Sequence, residues 1–251
     1  MTNFPASRRS FLTGALAAAT ALSLPGHRTA AAQPERKHLV LLGDSILANG
    51  AYVGKGPDVT AQLNKILPPG SRVTLEAIDG ALTAGVRLQL QIAPQDATHF
   101  VVSAGGNDAL HYSSLLSERA ASVGDALDKL AHMREAFTKE YRASLDAVIA
   151  RGLPVAVCTI YDARFPDPNQ RRQASLGLTI FNDCITREAA MRGLALIDLR
   201  LMLTAKEDLA NPIEPSVKGG AKIAAAIAAF AAEFDYGKGR CKVFTGTGAK
   251  A

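Results

Sequence analysis

Three short polar turns carry the residue types that acyl transfer from a serine requires. They are Gly43-Asp44-Ser45-Ile46-Leu47, Asp79-Gly80-Ala81 and Gly105-Gly106-Asn107-Asp108. A serine at a tight turn can act as a nucleophile, and backbone N–H groups together with an asparagine amide can stabilise the oxyanion that its attack produces. Turns of this kind are also common helix caps. Their significance therefore depends on whether the fold brings them together.

Each of these turns follows a short apolar run typical of a buried β-strand. Such runs alternate with helix-length segments, which predicts right-handed crossovers and a parallel sheet covered by helices on both faces. The carboxyl ends of parallel strands share one edge, where ligands bind, so we expect the three turns to meet there. The predicted strands are 38–42, 72–78, 98–103, 154–160 and 194–199, and the predicted helices lie near 58–67, 82–92, 113–151, 171–192 and 218–234.

The pattern predicts a single doubly wound domain. No internal repeat and no linker rich in Gly, Ser or Pro divides residues 33–251, and the expected core spans about 38–236. The tail from Gly237 onward is polar and rich in Gly and Thr, so we expect it to be loosely held. The segment 161–170, with two prolines, follows the fourth predicted strand and is a candidate wall of the site.

Composition and charge exclude several classes of protein. Of the 251 residues, 48% are hydrophobic and 20% are charged, a balance typical of a globular protein rather than a disordered chain. The net charge of +5 includes three arginines within residues 1–32, a stretch without acidic residues, so the remainder has 25 basic and 23 acidic side chains. Without clustered Lys and Arg, a nucleic-acid partner is not expected.

The first 32 residues have the organisation of an export signal. Paired Arg8 and Arg9 precede an apolar run over 11–24, and Ala30-Ala31-Ala32 supplies a small-residue cleavage site. This order predicts a twin-arginine signal peptide cleaved after Ala32. The run is shorter than the roughly 20 residues that a membrane span needs. We therefore expect a periplasmic or secreted protein without a stable membrane anchor, whose partner during export is the twin-arginine machinery.

The cysteines indicate neither a disulfide framework nor a zinc site. Cys158, Cys184 and Cys241 are odd in number and widely spaced. A single bridge between two of them stays open. No metal or other cofactor is implied by the sequence, and we expect a monomer.

In order, spacing and placement at strand ends, the three turns resemble those of the SGNH, or GDSL-type, esterase and lipase superfamily. The resemblance covers nearly the whole chain after the signal segment and implies a flavodoxin-like, three-layer α/β/α fold, here with a five-stranded parallel sheet. It also implies that Ser45 is the nucleophile. The Ser45 N–H, Gly80 and Asn107 would then form the oxyanion hole.

The fourth motif of that superfamily is altered in this chain. The superfamily places an Asp and, three residues later, a His shortly before the last helix, whereas this sequence has Asn211 and Glu214 at those positions, followed by Pro215-Ser216. The His is the general base, a role worth about 10²–10⁴-fold in rate. A glutamate with an ordinary pKa of about 4.3 is a poor base at neutral pH unless burial raises that pKa. We predict catalytic roles for Ser45, Glu214 and Asn211.

Other histidines are weaker candidates for the base. His38 and His99 fall at the amino ends of predicted strands, and His132 lies within a predicted helix. Only His111 lies near the carboxyl edge of the sheet. It remains an alternative base.

The leading functional hypothesis is an exported serine esterase or deacylase that acts on a small-molecule, glycan or lipid ester. Ala48, Tyr52 and Val53 would line its acyl site or simply pack a helix. A second hypothesis is a carbohydrate- or lipid-binding protein that kept the fold and lost catalysis. A third treats Asp44, Asp79, Asp108 and Glu214 as the metal ligands of a phosphoesterase.

Overall fold

A parallel six-stranded sheet lies at the centre of the computed structural model, which describes residues 36–234 and 240–245. The strand order is β2-β1-β3-β4-β5-β6. The strands are β1 (His38–Gly43), β2 (Arg72–Leu75), β3 (His99–Ser103), β4 (Val155–Cys158), β5 (Ala195–Ile197) and β6 (Lys242–Phe244). The helices are α1 (Val59–Ile66), α2 (Val86–Ile92), α3 (Gly106–His111), α4 (Val123–Ile149), α5 (Pro168–Arg192) and α6 (Val217–Glu233).

Apolar side chains cover both faces of the sheet. Along β1, Leu39 and Leu41 belong to one buried cluster, with residues of α1 and α6, while Val40 and Leu42 belong to another, with residues of α2, α4 and α5. Successive side chains of a strand point to opposite faces, so this division places helices on both sides. The predicted three-layer α/β/α architecture with a parallel sheet is confirmed.

The sheet gains one strand from a segment expected to be loosely held. β6 pairs in parallel with β5, with Val243 opposite Leu196. Phe244 is buried and contacts Phe230 of α6 edge to face, with ring centroids 6.2 Å apart. The expectation for the tail was therefore wrong for this stretch, because one aromatic side chain and the open edge of β5 hold it in place.

The helix predicted over 113–151 begins later than expected. Ser122 caps α4, since its hydroxyl accepts a hydrogen bond from the Asp125 N–H at 3.0 Å. The chain before it forms the short α3 and a 3₁₀ helix over Tyr112–Ser117. The sequence pattern did not separate this 3₁₀ helix from α4, and it did not predict α3, which precedes the predicted helix.

The predicted signal segment and its cleavage position lie outside the described residues. Among the helices of 36–234, none combines the length and the hydropathy needed to cross a membrane. Cys158, Cys184 and Cys241 are all free thiols, so the open question of a bridge is answered in the negative for the described chain.

The turn after β1 depends on the absence of a side chain at Gly43. This residue has a left-handed φ of 123°, and a Cβ atom here would lie 1.7 Å from the carbonyl oxygen of Ser103 on the neighbouring strand. The buried Gln89 carboxamide clamps the same residue, accepting from the Gly43 N–H at 2.6 Å and donating to the Gly43 carbonyl at 2.8 Å. β1 and β3 can approach closely here only with glycine.

We expect Gly43→Ala to lower the free energy of unfolding by more than about 3 kcal/mol, because a clash adds to an unfavourable φ. Gly152→Ala is the matched control, since Gly152 also has a left-handed φ, 70°, but a Cβ atom there meets open space. That substitution should cost only about 1–2 kcal/mol. Urea titration measures both, and equal losses would contradict the role of the close approach.

Candidate active site

The fold brings Ser45 and Glu214 into direct contact. Ser45 follows the carboxyl end of β1 and is 5% exposed, and its Oγ donates a hydrogen bond to Glu214 Oε1 at 3.1 Å. The two residues are 169 positions apart in the chain. A hydroxyl that donates to a carboxylate within a buried site is the arrangement that a nucleophile and its general base require.

The surroundings of Glu214 make its carboxyl group a stronger base than usual. Burial raises its pKa to about 7, and the negative charge of Asp79 adds to the increase, although the hydrogen bond from Ser45 opposes it. Within the described part of the chain, Oε2 of Glu214 is buried without a hydrogen-bond partner. At neutral pH the group can therefore both accept and return a proton.

A compact loop before α6 presents Glu214 to Ser45. Asn211 Oδ1 accepts hydrogen bonds from the N–H groups of Ile213 and Glu214, both at 2.9 Å. The hydroxyl of the buried Tyr161 donates to the Ile213 carbonyl. Asn211 thus contacts the backbone of this loop, and no hydrogen bond joins it to the Glu214 carboxylate among the described residues. The geometry gives Asn211 a positioning role.

Asp44 fixes the turn that carries the serine. Its Oδ1 accepts from the Ser103 hydroxyl at 3.0 Å and from the Ile46 N–H at 3.2 Å. Burial is the main cause that raises the pKa of Asp44 to about 7, and the nearby charges of Glu214 and Asp108 also raise it. The hydrogen bonds from Ser103 and Ile46 act in the opposite direction. Asp44 therefore ties the serine turn to β3.

Hydrogen bonds join the segments that carry two of the predicted oxyanion donors, Gly80 and Asn107. Asn107 Nδ2 donates to the Ala81 carbonyl at 3.1 Å, next to Gly80. The Thr83 N–H and hydroxyl both donate to Asp108 Oδ2, at 2.9 and 2.8 Å. In the hydrogen bonds of 36–234, the N–H groups of Ser45 and Gly80 have no acceptor. These two N–H groups are thus unpaired in the described chain, and Gly80 lies on an exposed turn.

No histidine of the described chain takes the place of the base. His111 is exposed and packs its ring edge to face on Tyr112, with centroids 5.7 Å apart. His38 and His99 lie at the amino ends of β1 and β3, and His132 is exposed on α4. The alternative of His111 is not supported by this geometry.

The carboxylates considered as metal ligands do not form a ligand set. Among the residues that the structure describes, no group of three or more His, Cys, Asp or Glu side chains is placed to hold a metal ion. Asp79 instead accepts from the Tyr52 hydroxyl at 2.7 Å, and Asp108 accepts from Thr83. The phosphoesterase hypothesis therefore lacks its ligands.

A cavity of about 260 Å³, here called the apolar cavity, extends from Ser45 and Glu214. Its walls come from α3, α4, α5 and the segment 161–170, which confirms that this segment lines the site. Ala48, Tyr52 and Val53 do not line it, so of the two alternatives left open for these residues this cavity does not support the acyl site. The apolar lining side chains include Leu110, Leu115, Leu130, Met133, Phe165, Leu178 and Phe181.

Sequence analysis missed two residues that support the site. Gln89 is a buried polar residue between Val86 and Leu90, the buried apolar residues of α2. A polar residue within an apolar helix face is a detectable signal, because a buried amide needs partners. Tyr161 carried no comparable signal, since its partner at Ile213 is distant in sequence.

The sequence and the structure both match known hydrolases. Residues 41–222 match the GDSL-like lipase/acylhydrolase family. The fold is similar to that of an extracellular lipase from Streptomyces rimosus, with 18% identity over 78% of this chain and 100% of that chain and a TM-score of 0.60. It is also similar to a phospholipase A1 from Streptomyces albidoflavus, with 14% identity, 79% and 100% coverage and a TM-score of 0.59.

An acetyl xylan esterase is a further structural neighbour, with 17% identity over 78% of this chain and 100% of that chain and a TM-score of 0.57. No curated protein matches the sequence. The family match spans most of the chain and includes the serine turn from Leu41 onward as well as Glu214. The chain therefore belongs to the GDSL-like lipase/acylhydrolase family of hydrolases.

Proposed function

We propose that this protein hydrolyses carboxylic esters through an acyl-enzyme on Ser45, with Glu214 as the general base. The observation that carries the proposal is the hydrogen bond from Ser45 Oγ to Glu214 Oε1 at 3.1 Å in a buried site. The raised pKa of Glu214 supports the same role, because the best base at neutral pH has a pKa near 7.

The proposed reaction has two halves, and in each half Glu214 accepts a proton and then returns it. As Ser45 Oγ attacks the ester carbonyl, Glu214 accepts its proton, and the Ser45 and Gly80 N–H groups with the Asn107 amide donate to the oxyanion. Glu214 then returns the proton to the leaving alkoxide as the acyl-enzyme forms. In the second half, Glu214 takes a proton from the water that attacks the acyl carbonyl. It then returns this proton to Ser45 Oγ as the bond between Oγ and the acyl carbon breaks, so the carboxylic acid is released and the serine hydroxyl is restored.

The apolar cavity favours esters with an apolar acyl group. Its walls beyond the serine consist mostly of aliphatic and aromatic side chains, among them Leu130, Met133 and Phe181. Burial of apolar surface is the main source of affinity in such a site. The cavity thus favours a lipid-like ester over a polar glycan ester.

We expect kcat/KM for p-nitrophenyl butyrate to rise with pH through about 7, because only the ionised carboxyl of Glu214 accepts a proton. Glu214→Gln should lower the plateau by about 10²–10⁴-fold and remove this rise. Ser45→Ala should abolish activity, and EDTA should not change the wild-type rate. Stopped-flow or plate assays over the pH range measure all of these values.

Asp44→Asn is the matched control, since Asp44 also has a pKa of about 7 beside the serine. If Glu214 is the base, the rise near neutral pH persists in Asp44→Asn. A profile that loses its rise in Asp44→Asn and keeps it in Glu214→Gln would assign the base to Asp44. Equal background rates for Ser45→Ala and wild type would favour a binding protein instead.

We also propose that residues 1–32 direct export through the twin-arginine pathway, on the strength of the paired arginines, the apolar run and the small-residue site. The double change Arg8→Lys and Arg9→Lys should move the protein from the periplasmic to the cytoplasmic fraction, as measured by immunoblotting. The matched control is Arg28→Lys, which should leave export intact. Export that persists in the double variant would contradict the proposal.

A further inference from the structure

We propose that Gly177 of α5 sets the length of the acyl chain that the apolar cavity accepts, an inference that rests on the proposed ester hydrolysis. The residue lines the cavity and lies in the interior of a 25-residue helix. Glycine destabilises a helix interior relative to alanine. A glycine here therefore calls for a reason of its own.

Neither backbone conformation nor close packing explains why position 177 is a glycine. Its φ is not left-handed, and a Cβ atom built on it would find no neighbouring atom within 4 Å. The two glycines near the start of α6 differ in this respect. A Cβ atom at Gly219 would lie 2.1 Å from the Asp208 carbonyl oxygen, and one at Gly220 would lie 3.1 Å from Gln62. Those glycines permit close packing, whereas Gly177 leaves space open.

The open space belongs to the apolar cavity. Gln173, Gly177 and Phe181 are spaced four residues apart along one face of α5, and all three line the cavity. Ala174 lines it as well, so the middle of this helical wall carries the two smallest side chains, while Phe181 supplies a large one. A side chain at position 177 would occupy volume that an acyl chain needs.

The other walls of the cavity are consistent with an extended apolar occupant. Met133 of α4 and Phe181 of α5 are buried, and Leu178 lies one position beyond Gly177. Ser45 and Glu214 line the same cavity. An ester whose carbonyl is at Ser45 would therefore extend its acyl chain along α5 and pass Gly177.

The test compares the full-length wild type with Gly177→Ala and Gly177→Leu, using p-nitrophenyl decanoate and p-nitrophenyl acetate. We expect Gly177→Leu to lower the decanoate-to-acetate ratio of kcat/KM by at least about tenfold, since pocket methylenes contribute on this scale. Gly177→Ala should lower it less and raise the Tm, because alanine favours the helix. Ala190→Leu, on the exposed face of the same helix, should leave the ratio unchanged.

A folded Gly177→Leu protein with an unchanged ratio would overturn the proposal. If Gly177→Leu does not fold, Gly177→Ala serves as the test instead. A higher Tm with an unchanged decanoate-to-acetate ratio in Gly177→Ala would also overturn the proposal. If wild type hydrolyses neither ester, the proposed function fails. In that case calorimetry measures the binding of decanoate to Ser45→Ala and to the double variant Ser45→Ala/Gly177→Leu. Weaker binding to the double variant supports the role of Gly177 in the cavity. Equal binding to both variants, or no binding to either, overturns it.

Discussion

A buried carboxyl group in contact with a serine hydroxyl is the interaction on which the site depends. Removing a carboxylate from water is unfavourable unless hydrogen bonds compensate, so the protonated form of Glu214 is favoured and its pKa rises to about 7. The loop held by Asn211 and Tyr161 keeps the carboxyl group next to Ser45 despite this cost. The same burial that opposes ionisation supplies the basicity that the proposed activation of Ser45 needs.

The sheet supplies the precision of the site. Because β1 and β3 are neighbours, Gly43 and Ser103 are paired, and the Ser103 hydroxyl reaches Asp44 beside the nucleophile. The segment with Gly80 is joined to α3 through Ala81 and Asp108. Hydrogen bonds between buried and half-buried groups therefore set the positions of Ser45 and of the segments that carry Gly80 and Asn107.

Glu214 lies where the resemblance to the SGNH superfamily implies a histidine, so the proposed base is a carboxyl group. An imidazole has a pKa near neutrality in water, whereas a carboxyl group reaches that value only when it is buried. Glu214 meets this condition, because its side chain is almost fully covered and Asp79 lies near enough to raise its pKa further.

The sequence by itself determined the class of fold and the identity of the serine turn. Alternating apolar runs predict a parallel sheet because buried strands and amphipathic helices each have their own period, and turns at strand ends must share an edge. Helix starts and short helices were less predictable, as the 3₁₀ helix over Tyr112–Ser117 and the later start of α4 show. β6 was missed because a single buried aromatic, Phe244, outweighs the polar composition around it.

Only the tertiary structure decided how the site is built. The contact between Ser45 and Glu214, the clamp of Gln89 on Gly43 and the bond from Tyr161 to Ile213 join segments far apart in the chain. The cavity likewise arises where three helices and a loop meet, and Ala48, Tyr52 and Val53, which follow Ser45 within eight positions, do not line it. The pKa values of the site and the shape of the cavity depend on burial and on contacts between distant segments. The local pattern of residues therefore does not determine them.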